Sequence, residues 1–283
     1  MIGEETLSRT RVFSLRQSAA LFAIAISFIS VLLMGNIGSH MDITSGSSEL
    51  QAAMTDAGPV LRSCKKKKAM SRSFTFFSGL LLHSALHFAR SAQEMEQKAP
   101  KLEAESRSCV LGAITLSVAF LEALINEVFI VAREDVWPYD RLDAASRQSM
   151  ANLQDEVASK LGITAKYDLV LTLNGREGFD HGVAPYQDVD ALVQLRNAVV
   201  HYRLGFRPHP DPDPLKIESR LRGKFPVSAY YIKHKGAFFP HRCLGAGCAA
   251  WAVNSARAYA DDFHRKIGVV SLYQQQAGLP TLL

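Results

Sequence analysis

The sequence predicts an all-α protein, a helical bundle with an irregular loop or short hairpin as an excursion before its last helix. Three observations predict it. Apolar residues recur at three- and four-residue steps through most of residues 74–268. Helix breakers punctuate those runs at Pro100, Gly162, Pro185, Gly205 and Pro208. One run, residues 101–132, is long, apolar and rich in small residues, as a buried central helix is. The chain of 283 residues is 48% hydrophobic and 21% charged, enough apolar material for a core. About five to seven helices are expected.

The elements follow in order. "SFTFFSGLLLHSALHFARSAQEMEQ" places apolar residues at 76, 77, 80, 81, 85 and 88, a helical period. "KLEAESRSCVLGAITLSVAFLEALINEVFIVA" carries a stripe of Leu111, Ile114, Val118, Leu121, Ile125 and Val128. Gly112, Ala113, Ser117 and Ala119 lie between, where a partner helix can approach closely. Glu122, Asn126 and Glu127 inside this run argue against a membrane span, because charge in lipid is costly. Glu122 and Asn126 are four apart and share a face.

"YDRLDAASRQSMANLQDEVASKLG" reads as a third helix with Gly162 as its C-cap. "TAKYDLVLTLNG" is a shorter helix or turn. "PYQDVDALVQLRNAVVHYRL" follows, with Pro185 suited to a first helical turn and an apolar side of Val189, Leu192, Val193, Leu195, Val199 and Val200. "RPHPDPDPLK" forbids helix. "IKHKGAFF" offers a turn-like glycine and so a hairpin, or else an irregular excursion. The last helix steps by four through Trp251, Ser255, Tyr259, Phe263 and Ile267.

Four segments result: a hydrophobic 1–41, a basic linker 42–73, a helical domain 74–268 and a tail 269–283. From Gln17 to Met41 there is no Asp, Glu, Lys or Arg. A bilayer crossing needs about 20 apolar residues. Three readings stand: a single-pass anchor, a cleaved signal peptide, or a segment ahead of a true start at Met41, Met54 or Met70. The folded domain is expected to be cytoplasmic. The linker, rich in Ser, Gly, Ala and Thr, is expected to be flexible. It ends in Lys65, Lys66, Lys67 and Lys68. That run is a solvated linker or an arm for phosphates of RNA or anionic lipid.

The net charge of +5 permits an anionic partner without requiring one. Cys64, Cys109, Cys243 and Cys248 are too scattered for a disulfide scaffold and are expected as reduced thiols. Neither His241 with Cys243 and Cys248 nor His83 with His87 makes a four-ligand set, so no metal or other cofactor is expected. The chain shows no glycine-rich phosphate loop, no internal repeat and no strand-turn-helix presenting a nucleophilic serine.

The chemistry-bearing stretch is "QLRNAVVHYR", residues 194–203. Arginine grips phosphate through two parallel N–H bonds. Histidine moves protons near neutrality. Together they are a minimal kit for cleaving RNA, with the 2′-OH as internal nucleophile and no metal required. At about 100° per residue, Arg196 and His201 point roughly 140° apart, while Asn197 and His201 nearly eclipse. Two copies packed antiparallel on a two-fold axis would combine the Arg and His of both chains. On residue types alone a decorated solvent face is the commoner reading of such a cluster.

Arg196-Asn197, three apolar residues, His201 and Tyr202-Arg203 resemble the R-x4-6-H motif of the HEPN superfamily. "AITLSVAFLEALINEVF" resembles the long small-residue helix of prokaryotic HEPN proteins, and the Trp251-Ala252 helix ending near Gly268 is similar to their closing helix. The resemblance implies an all-α domain, often a homodimer, that cuts RNA by metal-independent transesterification in toxin–antitoxin, phage-defence or RNA-processing systems. It implies Arg196, Asn197 and His201 as the site, with Glu122, Asn126 and Glu127 as supporting groups. RNA, an antitoxin or a nucleotidyltransferase would be the partners. Arg203 and Lys65–Lys68 are the further candidates for nucleic-acid contact. Silent members of the family serve as binding or dimerisation modules. The hydrophobic N-terminal segment and the long 205–240 excursion depart from a minimal domain of this kind.

Overall fold

The long apolar run becomes the axis of the domain. A computed structural model describes residues 75–98, 101–134, 137–202, 216–233, 237–271 and 273, with the backbone alone for 154–159. The chain divides into two units at Ser73–Phe74, and the described residues belong to the second. They are all-α, with no strand among them. Seven α-helices lie among them: α1 Ser78–Lys98, α2 Glu103–Arg133, α3 Ala144–Lys160, α4 Ile163–Leu173, α5 Tyr186–Val200, α6 Lys216–Leu221 and α7 Ala246–Ile267.

Helix α2 is long and apolar enough to cross a membrane by length and composition. Here it is the central helix, packed against α1, α3, α4, α5 and α7. Of its stripe, Ile114, Val118, Leu121, Ile125 and Val128 are buried and Leu111 is half-buried; Val110, Phe120, Leu124 and Phe129 around it are buried too. A helix apolar on most sides requires neighbours on most sides. Gly112 admits α1: a Cβ there would come within 3.1 Å of the Phe88 ring.

In α1 the buried apolar side chains are Leu82, Ala85, Leu86, Phe88, Ala89 and Ala92. The expected stripe was partly misplaced. Phe77 and Leu80, at the helix start, are 43% and 55% exposed, and the buried side runs instead through Leu82, Leu86 and Phe88 with three alanines between and after them. Glu127 of α2 anchors that start. Its Oε1 accepts the backbone N–H groups of Phe77 (2.6 Å) and Ser78 (2.9 Å), and its Oε2 accepts the Ser78 hydroxyl (2.6 Å). These satisfy helix-end donors that have no partner within the helix.

Helix α3 begins later than its sequence pattern, because Tyr139–Arg141 forms a separate 3₁₀ turn. Asp143 then caps α3, its Oδ2 accepting from Ser146 N at 3.0 Å. Gly162 does not cap α3 in the left-handed region. It is the N-cap of α4, with φ −65° and ψ 161°. Helix α4 reaches the core through Tyr167, whose hydroxyl donates to the Leu121 carbonyl at 2.8 Å.

The four-step series of α7 holds. Ser255, Tyr259, Phe263 and Ile267 are buried and Trp251 is half-buried. Gly268 ends α7 at φ 76°, where its N–H and that of Val269 both reach the His264 carbonyl. In the tail, Tyr273 packs edge-on against Phe120 at 5.1 Å.

Among the described residues the excursion before α7 is irregular rather than a hairpin. It holds α6, a 3₁₀ turn at Ala229–Tyr231 and a wide turn at Phe238–Arg242 in which Phe239 is extended. Two carboxylates fasten it, Glu96 half-buried and Glu218 buried. Glu96 accepts from the Ser228 hydroxyl (2.9 Å) and Ala246 N (3.1 Å), joining α1, the excursion and the start of α7. Glu218 pairs with Arg222 at 3.0 Å and accepts from Phe239 N. Gly245 and Gly247 make this approach possible, since a Cβ at either would fall within 2.6 Å of Ser228 or Pro226. The expectations for residues 1–41, 42–73 and 203–215, and for Pro100, lie outside the described residues.

Candidate functional site

Helix α5 is oriented by its buried side. Val189, Ala191, Leu192 and Leu195 pack into the core. Val200, expected on that side, is 38% exposed. On a neighbouring face Asp188 pairs with Lys224 and Asp190 with Arg220, while Gln194 donates to Asp190 at 2.9 Å. The helix is therefore held on two sides, and its last turn carries the cluster.

Arg196 is half-buried, and Asn197 and His201 are exposed. The difference follows helix geometry, which turns Arg196 roughly 140° from His201. His201 is the C-cap residue, at φ −106° and ψ 33°, and its N–H closes the helix on the Asn197 carbonyl at 2.9 Å. The Asn197 and His201 side chains thus sit one turn apart at the C-terminal end of the helix. No side-chain hydrogen bond or ion pair engages Arg196, Asn197 or His201 among the described residues. Tyr202 follows, 53% exposed, with its ring 6.3 Å from that of Phe239.

The expected supporting groups are elsewhere engaged. Asn126 accepts from Lys166 Nζ at 3.1 Å. Lys166 is only 3% exposed, and burial pushes its ammonium down from the ordinary lysine value while Glu122 pulls it back up. The shared face of Glu122 and Asn126 therefore serves a buried lysine on α4. Glu127 holds the start of α1. No hydrogen bond joins any of the three to Arg196, Asn197 or His201 among the described residues. Lys65, Lys66, Lys67, Lys68 and Arg203 lie outside the described residues.

The chain matches no known family model, no curated protein and no solved structure.

A second polar constellation escaped the sequence reading. His181 Nε2 donates to Asp168 Oδ2 at 3.0 Å, and Asp168 Oδ1 accepts from Phe179 N at 3.3 Å. The His181 ring stacks on Tyr186 at 3.9 Å and 12°. A carboxylate fixing one imidazole nitrogen leaves the other directed by it, the usual arrangement of a proton-transfer histidine. His181 is exposed. Asp168 and His181 are thirteen positions apart across a helix end and a loop, so no helical spacing announces the pair. The one sequence signal is a glycine-flanked "GFDHG" between two helices.

Metal-binding and thiol chemistry find little support among the described residues. No group of three or more His, Cys, Asp or Glu side chains is placed to hold an ion. Cys109, Cys243 and Cys248 are buried free thiols. Burial pushes Cys243 up to about 12 and Cys248 well above its usual value, so both are protonated and unreactive at neutral pH. His241 lies beside Arg107 and Tyr231 rather than in a ligand set.

Proposed function

We propose that the chain is a metal-independent endoribonuclease of HEPN type, with a composite site formed where two copies bring their α5 ends together. The observation that carries this reading is the solvent-facing end of α5. Arg196, Asn197 and His201 stand there without partners among the described residues, on a helix fixed through its other faces. A site for a mobile anionic substrate needs such unspent donors on a rigid support.

The chemistry follows from the side chains. His201 takes the 2′-OH proton. The 2′ oxygen attacks phosphorus and the bond to the 5′ oxygen breaks. A protonated histidine returns a proton to that leaving oxygen, and the 5′ fragment keeps a 2′,3′-cyclic phosphate. Arg196 holds the phosphate oxygens as negative charge gathers on them. Because Arg196 and His201 diverge on one helix, the Arg of one chain works with the partner's His201. Asn197, one turn from His201, orients the ribose or the imidazole. The resemblance extends to a toxin or defence role with RNA as substrate and an antitoxin or nucleotidyltransferase as regulator. For the described domain the reading is cytoplasmic. A membrane tether through residues 17–41 would add attachment.

A second reading keeps RNA cleavage but moves the proton transfer to His181, and the carboxylate–imidazole pair at 3.0 Å favours it. The non-enzymatic alternative is a silent HEPN-like module that dimerises or holds a partner. One experiment separates all three: cleavage of a mixed RNA pool by the full chain with EDTA, beside His201→Ala and His181→Ala. Loss in His201→Ala alone supports the first reading and loss in His181→Ala alone the second. No cleavage by a folded wild type leaves the binding module.

A further inference from the structure

Far from the α5 end, a cleft of about 140 Å³ is lined by Arg141, Leu142, Asp143, Asn174, Arg176 and Gly268 among others. We propose that this cleft binds a phosphoryl group between Arg141 and Arg176. The proposal does not rest on the ribonuclease reading. Tyr186, at the start of α5, lies 6.3 Å from Tyr259 of α7. The Arg196–His201 cluster is a further 20 Å or so along α5. It sits toward the Trp251 end of α7: the Tyr202 ring contacts Phe239, and the adjacent Phe238 contacts Phe225, which meets Trp251. The cleft sits at the Ile267 end.

Both guanidiniums are exposed and have no hydrogen-bond, ion-pair or ring partner among the described residues. Other arginines are spent: Arg107 on Glu103, Arg220 on Asp190, Arg222 on Glu218, Arg265 on Asp262. The carbonyls at the two helix ends nearby are also taken. Leu171 O accepts from Asn174 N and Arg176 N, and His264 O from Gly268 N and Val269 N. They cannot absorb the arginines.

One carboxylate, Asp143, shares the cleft. Its Oδ2 accepts from Ser146 N at 3.0 Å and Ser146 Oγ at 3.3 Å, so it serves the start of α3. Two positive groups against one committed negative group leave the cleft net positive. Arg176 Nη2 lies beside the turn at Gly268, 3.6 Å from where a Cβ would stand there. The volume holds several waters at ~30 Å³ each, which is room for one phosphoryl group. A guanidinium fork matches two phosphoryl oxygens, and two forks fix the anion from two sides.

The phosphoryl group could belong to a free phosphate or to the backbone of RNA, and the test distinguishes them. The full chain is titrated calorimetrically with inorganic phosphate and, separately, with a 2′-O-methyl RNA hexamer that resists cleavage. Arg141→Ala, Arg176→Ala and Arg176→Lys are titrated beside it, with a thermal melt of each. Saturable binding of phosphate assigns the free anion. Binding of the hexamer without phosphate assigns the backbone. In either case each alanine variant weakens binding by about tenfold or more, and Arg176→Lys keeps part of it as a point charge without the fork. Saturable binding of neither probe overturns the proposal, and so does unchanged affinity in both alanine variants. If an alanine variant melts early, Arg176→Lys decides on its own: unchanged affinity there also overturns the proposal.

Discussion

His264 shows how a single residue sets a condition on the whole domain. Its Nδ1 lies 2.7 Å from the Ala260 carbonyl, so that nitrogen must donate. Its Nε2 then accepts from the Tyr139 hydroxyl at 3.0 Å, and the ring is neutral. Burial holds its pKa below the ordinary histidine value, against the Ala260 carbonyl and Asp261, which favour the charged form. The folded pKa is depressed, so the unfolded chain binds the proton more readily. The stabilisation is complete above the unfolded value of about 6.5 and is lost as pH falls through the folded one. We predict that the melting temperature falls as the buffer is taken from about pH 7 to about pH 5, and that His264→Gln flattens that slope. Tyr139→Phe orphans Nε2 in the core and costs about 1–3 kcal/mol in denaturant unfolding. At this scale the sequence displayed Arg196, Asn197 and His201, because they are neighbours along one helix. It hid Asp168–His181 and Tyr139–His264, whose members meet only when separate elements pack. The contacts that Asn126 and Glu127 make, with Lys166 and the start of α1, were hidden for the same reason: sharing a helix face does not say which neighbour that face meets.

Two carboxylates act on whole elements. Glu127 supplies the acceptors for the start of α1, and Glu96 ties the start of α7 to Ser228. Glu127→Ala is expected to fray α1 and lower stability by ~1–2 kcal/mol, the loss typical of a helix cap. Hydrogen exchange should locate that loss at residues 77–82; uniform exchange change across the domain would contradict the capping role. Gly247→Ala forces Pro226 away from α7 and should destabilise the domain more than an exposed Gly→Ala does, since a Cβ there meets Pro226 Cγ at 2.6 Å. Equal melting temperatures for Gly247→Ala and wild type would refute that close approach. Element identity was legible where periodicity was strong, as in α2 and α7. It was less so in α1, where the large residues at the helix start are exposed and alanines share the buried side with Leu82, Leu86 and Phe88, and at Gly162, where a glycine with ordinary φ starts a helix instead of ending one. The excursion was open in the sequence because its fastenings, Glu96 and Glu218, lie on other helices or within its own short turn.

The described domain is a bundle built around one apolar helix, and α2 shows why composition alone could not assign it. Sixty-seven per cent of its most apolar window is buried against other helices of the same domain. A lipid-facing helix would present that surface outward. The bundle displays at the α5 end a cluster of donors that nothing else in the described domain uses. The composite reading makes activity a property of two chains. Cleavage rate per chain should fall on dilution through the dimer dissociation range, and mixing inactive Arg196→Ala with inactive His201→Ala should restore part of it, because one of the two composite sites then has both groups. Failure of that mixture while each variant still dimerises would place both groups in one chain.

The most direct test of the central claim is cleavage of RNA by the full chain in EDTA, with wild type and His201→Ala side by side and the product ends identified. The account predicts cleavage by wild type alone, with 2′,3′-cyclic phosphate on the 5′ fragment and an unchanged melting temperature in the variant. Equal cleavage by His201→Ala, or none by a folded wild-type dimer, would contradict it.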